Sequence, residues 1–132
     1  MKLLASLILT ISFFSIVFNY GCKDTINAND LNNVVIPSSN VSYSKYIQPV
    51  LNLYCATSGC HDGTGGGGGI SFTTYSNTIA SPNVVFPYHP ETSHLVWVIT
   101  GKVPQHPPLY YNLNANQIQG VKTWISEGAK DN

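Results

Sequence analysis

Cys55, Cys60 and His61 are the residues best placed to do chemistry together. They stand in the stretch Cys55-Ala56-Thr57-Ser58-Gly59-Cys60-His61-Asp62-Gly63, where two thiols bracket four small or polar residues and an imidazole follows the second thiol directly. A Cys-His dipeptide with another cysteine a few residues upstream is the pattern of covalent c-type haem attachment. The usual spacing places two residues between the cysteines, and here there are four. The requirement is that two thiols reach the two vinyl groups of one haem while the adjacent histidine lies under the iron as an axial ligand. Fixing Cys60 to the ring carries His61 to the metal, and a longer loop between the cysteines can bulge outward without moving that endpoint.

Two other chemistries compete for the same residues. In an oxidising compartment Cys55 and Cys60 would close a small disulfide loop, with His61 incidental. Zinc or copper would need further ligands. No second ligand pair stands at metal-site spacing, and the adjacent Cys60 and His61 are poor partners on one tetrahedral ion.

Composition narrows the function classes. The 132 residues suffice for one domain, with 43% hydrophobic and only 9% charged residues. Formal net charge is zero, which gives no electrostatic footprint for nucleic acid. There is no Gly-x-Ser-x-Gly, no His-Glu-x-x-His and no evident pair of carboxylates. The glycine run Gly65 to Gly69 lacks the Gly-Lys-Ser/Thr that a phosphate-cradling loop needs, so it reads as a loop at a haem edge or in solvent.

The chain opens with Lys2 and an almost uninterrupted apolar run from Leu3 to Phe18, then Asn19-Tyr20-Gly21-Cys22. This reads as a secretory signal over residues 1–21, its apolar run somewhat short of the ~20 residues that span a bilayer. It is similar to a bacterial lipoprotein signal, with cleavage between Gly21 and Cys22 and a lipid on Cys22, although Asn19 and Tyr20 depart from that pattern. An uncleaved anchor helix, or cleavage elsewhere, is the competing reading. Each puts the remainder outside the cytoplasm, in the periplasm or cell envelope, and the lipid or an anchor helix would hold it to a membrane. Lipidation of Cys22 would also account for the odd third cysteine.

Residues 22–42 are rich in asparagine and serine and show no apolar period, so a flexible, disordered tether is expected there. The folded domain is then expected over 43–132. Tyr46, Ile47, Val50, Leu51 and Tyr54 fall at helical spacing, and Pro49 places the start of the regular helix near Gln48. That helix runs into Cys55 and delivers the first thiol. A short helical turn is expected through Ile79, and a helix opened by Pro90 and stopped by Gly101. The segment from Val103 to Leu109 is an extended loop, because its prolines exclude a helix. Asn114 or Asn116 caps a last helix with an Ile118, Val121, Trp124, Ile125 stripe and a stop at Gly128.

In this order the parts from Tyr43 to Ala129 resemble small c-type cytochrome domains found in exported proteins of Bacteroidetes- and planctomycete-like bacteria. The matching pieces are Ile47-Gln48-Pro49-Val50-Leu51, Cys60-His61-Asp62-Gly63, Gly69-Ile70-Ser71-Phe72, Pro90-Glu91-Thr92-Ser93-His94-Leu95, and Gln117-Ile118 through Trp124-Ile125-Ser126-Glu127-Gly128-Ala129. The run from Tyr43 to Ala129 covers about two-thirds of the chain, and the order of its pieces carries the likeness more than any one of them. The resemblance implies a mostly α, cytochrome c-like domain around a covalent haem c, with Cys55 and Cys60 attached and His61 as proximal ligand. It implies an electron carrier rather than an enzyme, serving redox partner proteins.

One departure bears on the iron. The family carries a Met-Pro-Pro segment before the last helix, whose methionine caps the metal. Here the aligned residues are Val103-Pro104-Gln105, and Met1 is the sole methionine. Valine cannot bind iron. His106 in the same loop is the expected replacement, with His89, His94 or an open position as alternatives. An open position would admit peroxide or a gas and turn the carrier into an enzyme or sensor.

Overall fold

The structure, a computed structural model, describes residues 28–103, 106 and 113–132. The expected signal segment and Cys22 lie outside the described residues, as do Pro104, Gln105 and residues 107–112 of the proline loop. Among the described residues the domain is mostly α-helical, without strands. No described helix is long and apolar enough to cross a membrane. The helices are α1 (Ala28–Asn32), α2 (Gln48–Tyr54), α3 (Tyr75–Thr78), α4 (His94–Ile99) and α5 (Ala115–Ser126). A π-turn, Tyr43–Ile47, leads into α2, and 3-10 turns lie at Gly67–Gly69 and Pro90–Thr92.

The wide turn before α2 follows from Pro49. A proline in a helix clashes with the carbonyl four residues back and donates no hydrogen bond to it. Here the turn widens instead, and Gln48 N–H bonds Tyr43 O, five residues back. Ser42 caps this turn by accepting from Lys45 N. Ile47, Val50, Leu51 and Tyr54 are then buried along one face.

Helix α5 is set by its ends. Asn114 Oδ1 accepts from Gln117 N, and Gln117 Oε1 accepts from Asn114 N, each at 2.9 Å, a reciprocal capping box. Val121, Trp124 and Ile125 of the expected stripe are buried, and Ile118 packs at its margin. Trp124 and Tyr75 flank the buried Tyr43 ring at 5.1 Å each, which joins α5, α3 and the π-turn in one core. The helix expected from Pro90 is divided into a 3-10 turn and α4, because Ser93 is extended. The Ser93 hydroxyl holds this bend, donating to His89 O at 3.0 Å and accepting from Phe86 N at 2.8 Å.

The flexible tether expected over 22–42 takes a different form over its described residues. Leu31, Ile36 and Val41 are buried. Asn116 of α5 clasps Ile36 from both sides, accepting from Ile36 N at 2.8 Å and donating to Ile36 O at 3.0 Å. Glu127 accepts from Asn40 N and from Val41 N, the latter at 2.9 Å. Residues 36–41 thus form a strap across α5. Such a strap has no period to read, because its backbone bonds side chains of a distant helix instead of its own neighbours. The core therefore begins upstream of Tyr43.

Candidate functional site

Helix α2 ends where the first thiol is needed. Cys55 is its C-terminal cap and is buried, with its N–H bonded to Leu51 O. The four residues after it form a closed excursion. Cys60 N donates to Thr57 O at 2.9 Å, and His61 N donates to Cys55 O at 3.2 Å. The chain thereby returns to the end of α2, and the unusual four-residue spacing is absorbed as a bulge. Asp62 braces it from the far side. Its carboxylate accepts from Thr64 N, Thr64 Oγ1 and Gly59 N at 3.0, 2.7 and 3.0 Å. The hydrogen bonds from Thr64, and then that from Gly59, hold the Asp62 carboxyl below its usual pKa.

Both cysteines are free thiols. Burial, and then the neighbouring Cys60, push the Cys55 thiol up to about 12. A thiol so poorly ionised is a weak nucleophile, the opposite of the low-pKa cysteine that drives thiol–disulfide catalysis.

His61 is held on several sides. Its backbone carbonyl accepts from Phe72 N at 3.0 Å, and its ring meets the Phe72 ring edge-on at 5.0 Å. Its Nδ1 lies 3.1 Å from Ile70 O. A carbonyl oxygen can only accept, so this contact assigns the proton of the neutral imidazole to Nδ1 and leaves the lone pair on Nε2. That is the arrangement of a metal-ligating histidine, oriented by a hydrogen bond from its other nitrogen.

Across from it stands His106. The two rings are nearly parallel, 15° apart, with centroids separated by 6.2 Å. A turn bond from His106 N to Val103 O at 3.3 Å positions this residue. The other two histidines engage elsewhere. His89 is exposed and lies tilted against the Phe86 ring at 4.6 Å, and His94 meets Trp97 edge-on at 5.8 Å. Among the described residues no three His, Cys, Asp or Glu side chains converge on one point as a multidentate metal cage would require.

Two positioning features escaped the sequence reading. The Ile70 carbonyl is invisible because every residue has one. Phe72, by contrast, was within the piece Gly69-Ile70-Ser71-Phe72, and an aromatic shortly after a Cys-His motif is a signal that can be looked for. No family model matches this chain, and neither does any curated protein or solved structure.

Proposed function

We propose that this chain is a monohaem c-type cytochrome that carries electrons outside the cytoplasm, with haem bonded through Cys55 and Cys60 and iron held between His61 and His106. The observation that carries this reading is the facing pair of imidazoles. Imidazole is the commonest protein ligand of such metals, and the structure brings two of them together at one place. The rings of His61 and His106 stand 6.2 Å apart and almost parallel. The donor set also fits the group: two unpaired thiols at the end of α2, a histidine whose proton is parked on Nδ1, and a second imidazole facing it.

When bound, haem c supplies a one-electron iron couple, and imidazole in place of methionine lowers its potential. The chain's own contribution is to hold the ligands. Ile70 O orients the His61 ring, while the Cys55–His61 backbone bond keeps the attachment residues together. Electron carriage by haem c needs no acid–base or nucleophilic machinery of the chain, and carriage is the role proposed. Export, lipidation at Cys22 and docking with redox partner proteins belong to the same proposal.

The test is the chromophore. Mature protein purified from a host that attaches haem c, then fully denatured, is expected to keep a covalent haem spectrum and the added mass of one haem. A colourless product of unmodified mass refutes the reading and leaves an exported thiol or disulfide protein.

A further inference from the structure

The glycine run after the Cys-His motif lies against the proposed iron ligand. A β-carbon on Gly67 would overlap His61 Nδ1 and stand 2.6 Å from His61 Cε1 and 2.8 Å from Cys60 O. A β-carbon on Gly66 would overlap Gly59 O and stand 2.7 Å from Cys60 O. Neither neighbour is the loose end of a long side chain. One is the backbone of the attachment loop, and the other is a ring already bonded to Ile70 and packed on Phe72. Gly68 and Gly69, in the same turn, meet nothing within 4 Å. The turn is closed by Gly69 N to Gly66 O at 3.2 Å and Ile70 N to Gly67 O at 3.3 Å. It therefore presses the backbone at Gly66–Gly67 onto Gly59–His61 and at the same time places the Ile70 carbonyl on Nδ1.

We infer that Gly66 and Gly67 form the seat of the His61 ring: they are positioning residues that fix its Nδ1–H on Ile70 and so set the direction of Nε2. The significance of that direction rests on the proposed function; the seat itself does not. Only glycine serves here, because any larger residue at 67 displaces the ring edge that carries Nδ1. Flexibility of the run is secondary to its thinness at these two positions.

Gly68 supplies an internal control. Its φ of +65° matches the +58° of Gly67, so alanine pays a similar backbone cost at each, but only at 67 does the methyl meet His61. The measurement is hydrogen exchange of the His61 ring Nδ1–H, followed by 15N NMR on the full-length protein, reduced if it carries haem. Gly67→Ala is expected to speed this exchange about tenfold or more, and Gly68→Ala to leave it within about twofold of wild type. Equal effects of the two substitutions, or none at Gly67, overturn the inference. Should Gly67→Ala fail to fold, Gly68→Ala is the comparison: a folded Gly68→Ala protein supports the seat, and failure of both overturns it. A colourless protein that still shows the Gly67-specific exchange refutes the haem reading and leaves the seat intact.

Discussion

The strap over α5 makes a quantitative claim. Ile36 is 4% exposed, and its Cγ2, Cδ1 and Cβ would stand 2.7, 2.8 and 3.1 Å from a β-carbon on Gly120. Gly120 thus leaves room for Ile36, and each residue explains the other. Ile36→Ala removes a buried branched side chain and should cost about 2–4 kcal/mol. Gly120→Ala gains about 1 kcal/mol of helix propensity but forces about 1–3 kcal/mol of overpacking against Ile36, for a net loss of about 0–2 kcal/mol. With Ile36 already truncated, the new methyl meets only the retained β-carbon at 3.1 Å, and Gly120→Ala should become stabilising by up to about 1 kcal/mol. The pair should therefore be coupled by about 1–3 kcal/mol. Urea denaturation of wild type, both single variants and the double variant measures the cycle, provided the slopes agree. If Ile36→Ala costs less than about 0.5 kcal/mol, or the two changes add to within about 0.5 kcal/mol, the strap is not packed as described.

Two further substitutions address the site. If haem is bound as proposed, His106→Ala should convert its low-spin spectrum to one that binds carbon monoxide in the reduced state, and an unchanged spectrum would remove His106 as a ligand. Asp62 has a folded pKa below its ordinary 3.8, so its contribution to stability is complete above that value and fades as pH falls through the lower, folded one. Asp62→Asn should flatten the acid limb of the stability profile below pH 3.8 and leave its neutral shape unchanged; an identical acid limb in the variant contradicts the Thr64 and Gly59 hydrogen bonds as its cause.

Much of the helical outline was legible because local rules govern it. Pro49 marks the start of α2 since its ring excludes a regular turn before it, and the Asn114–Gln117 spacing marks the start of α5 since a capping box is a local motif. The Cys55, Cys60, His61 grouping was legible for the same reason, its members being close in sequence. The strap at 36–41 was not. Its amides are satisfied by Asn116 and Glu127, some 80 residues away, and no window of sequence contains both partners.

By itself the sequence determined which thiols and which imidazole stand together, that the chain is helical with irregular connections, and that methionine is absent from the loop before α5. Tertiary structure decided which of the remaining histidines faces His61, because ring spacing depends on how α2, the glycine turn and the Val103 loop pack. It also decided what the glycines are for. A run of five reads as slack in one dimension, whereas contact with the Gly59–His61 segment divides it into two residues with no room for a side chain and others in open space. That division is steric, set by backbone and ring atoms that meet only when the chain is folded.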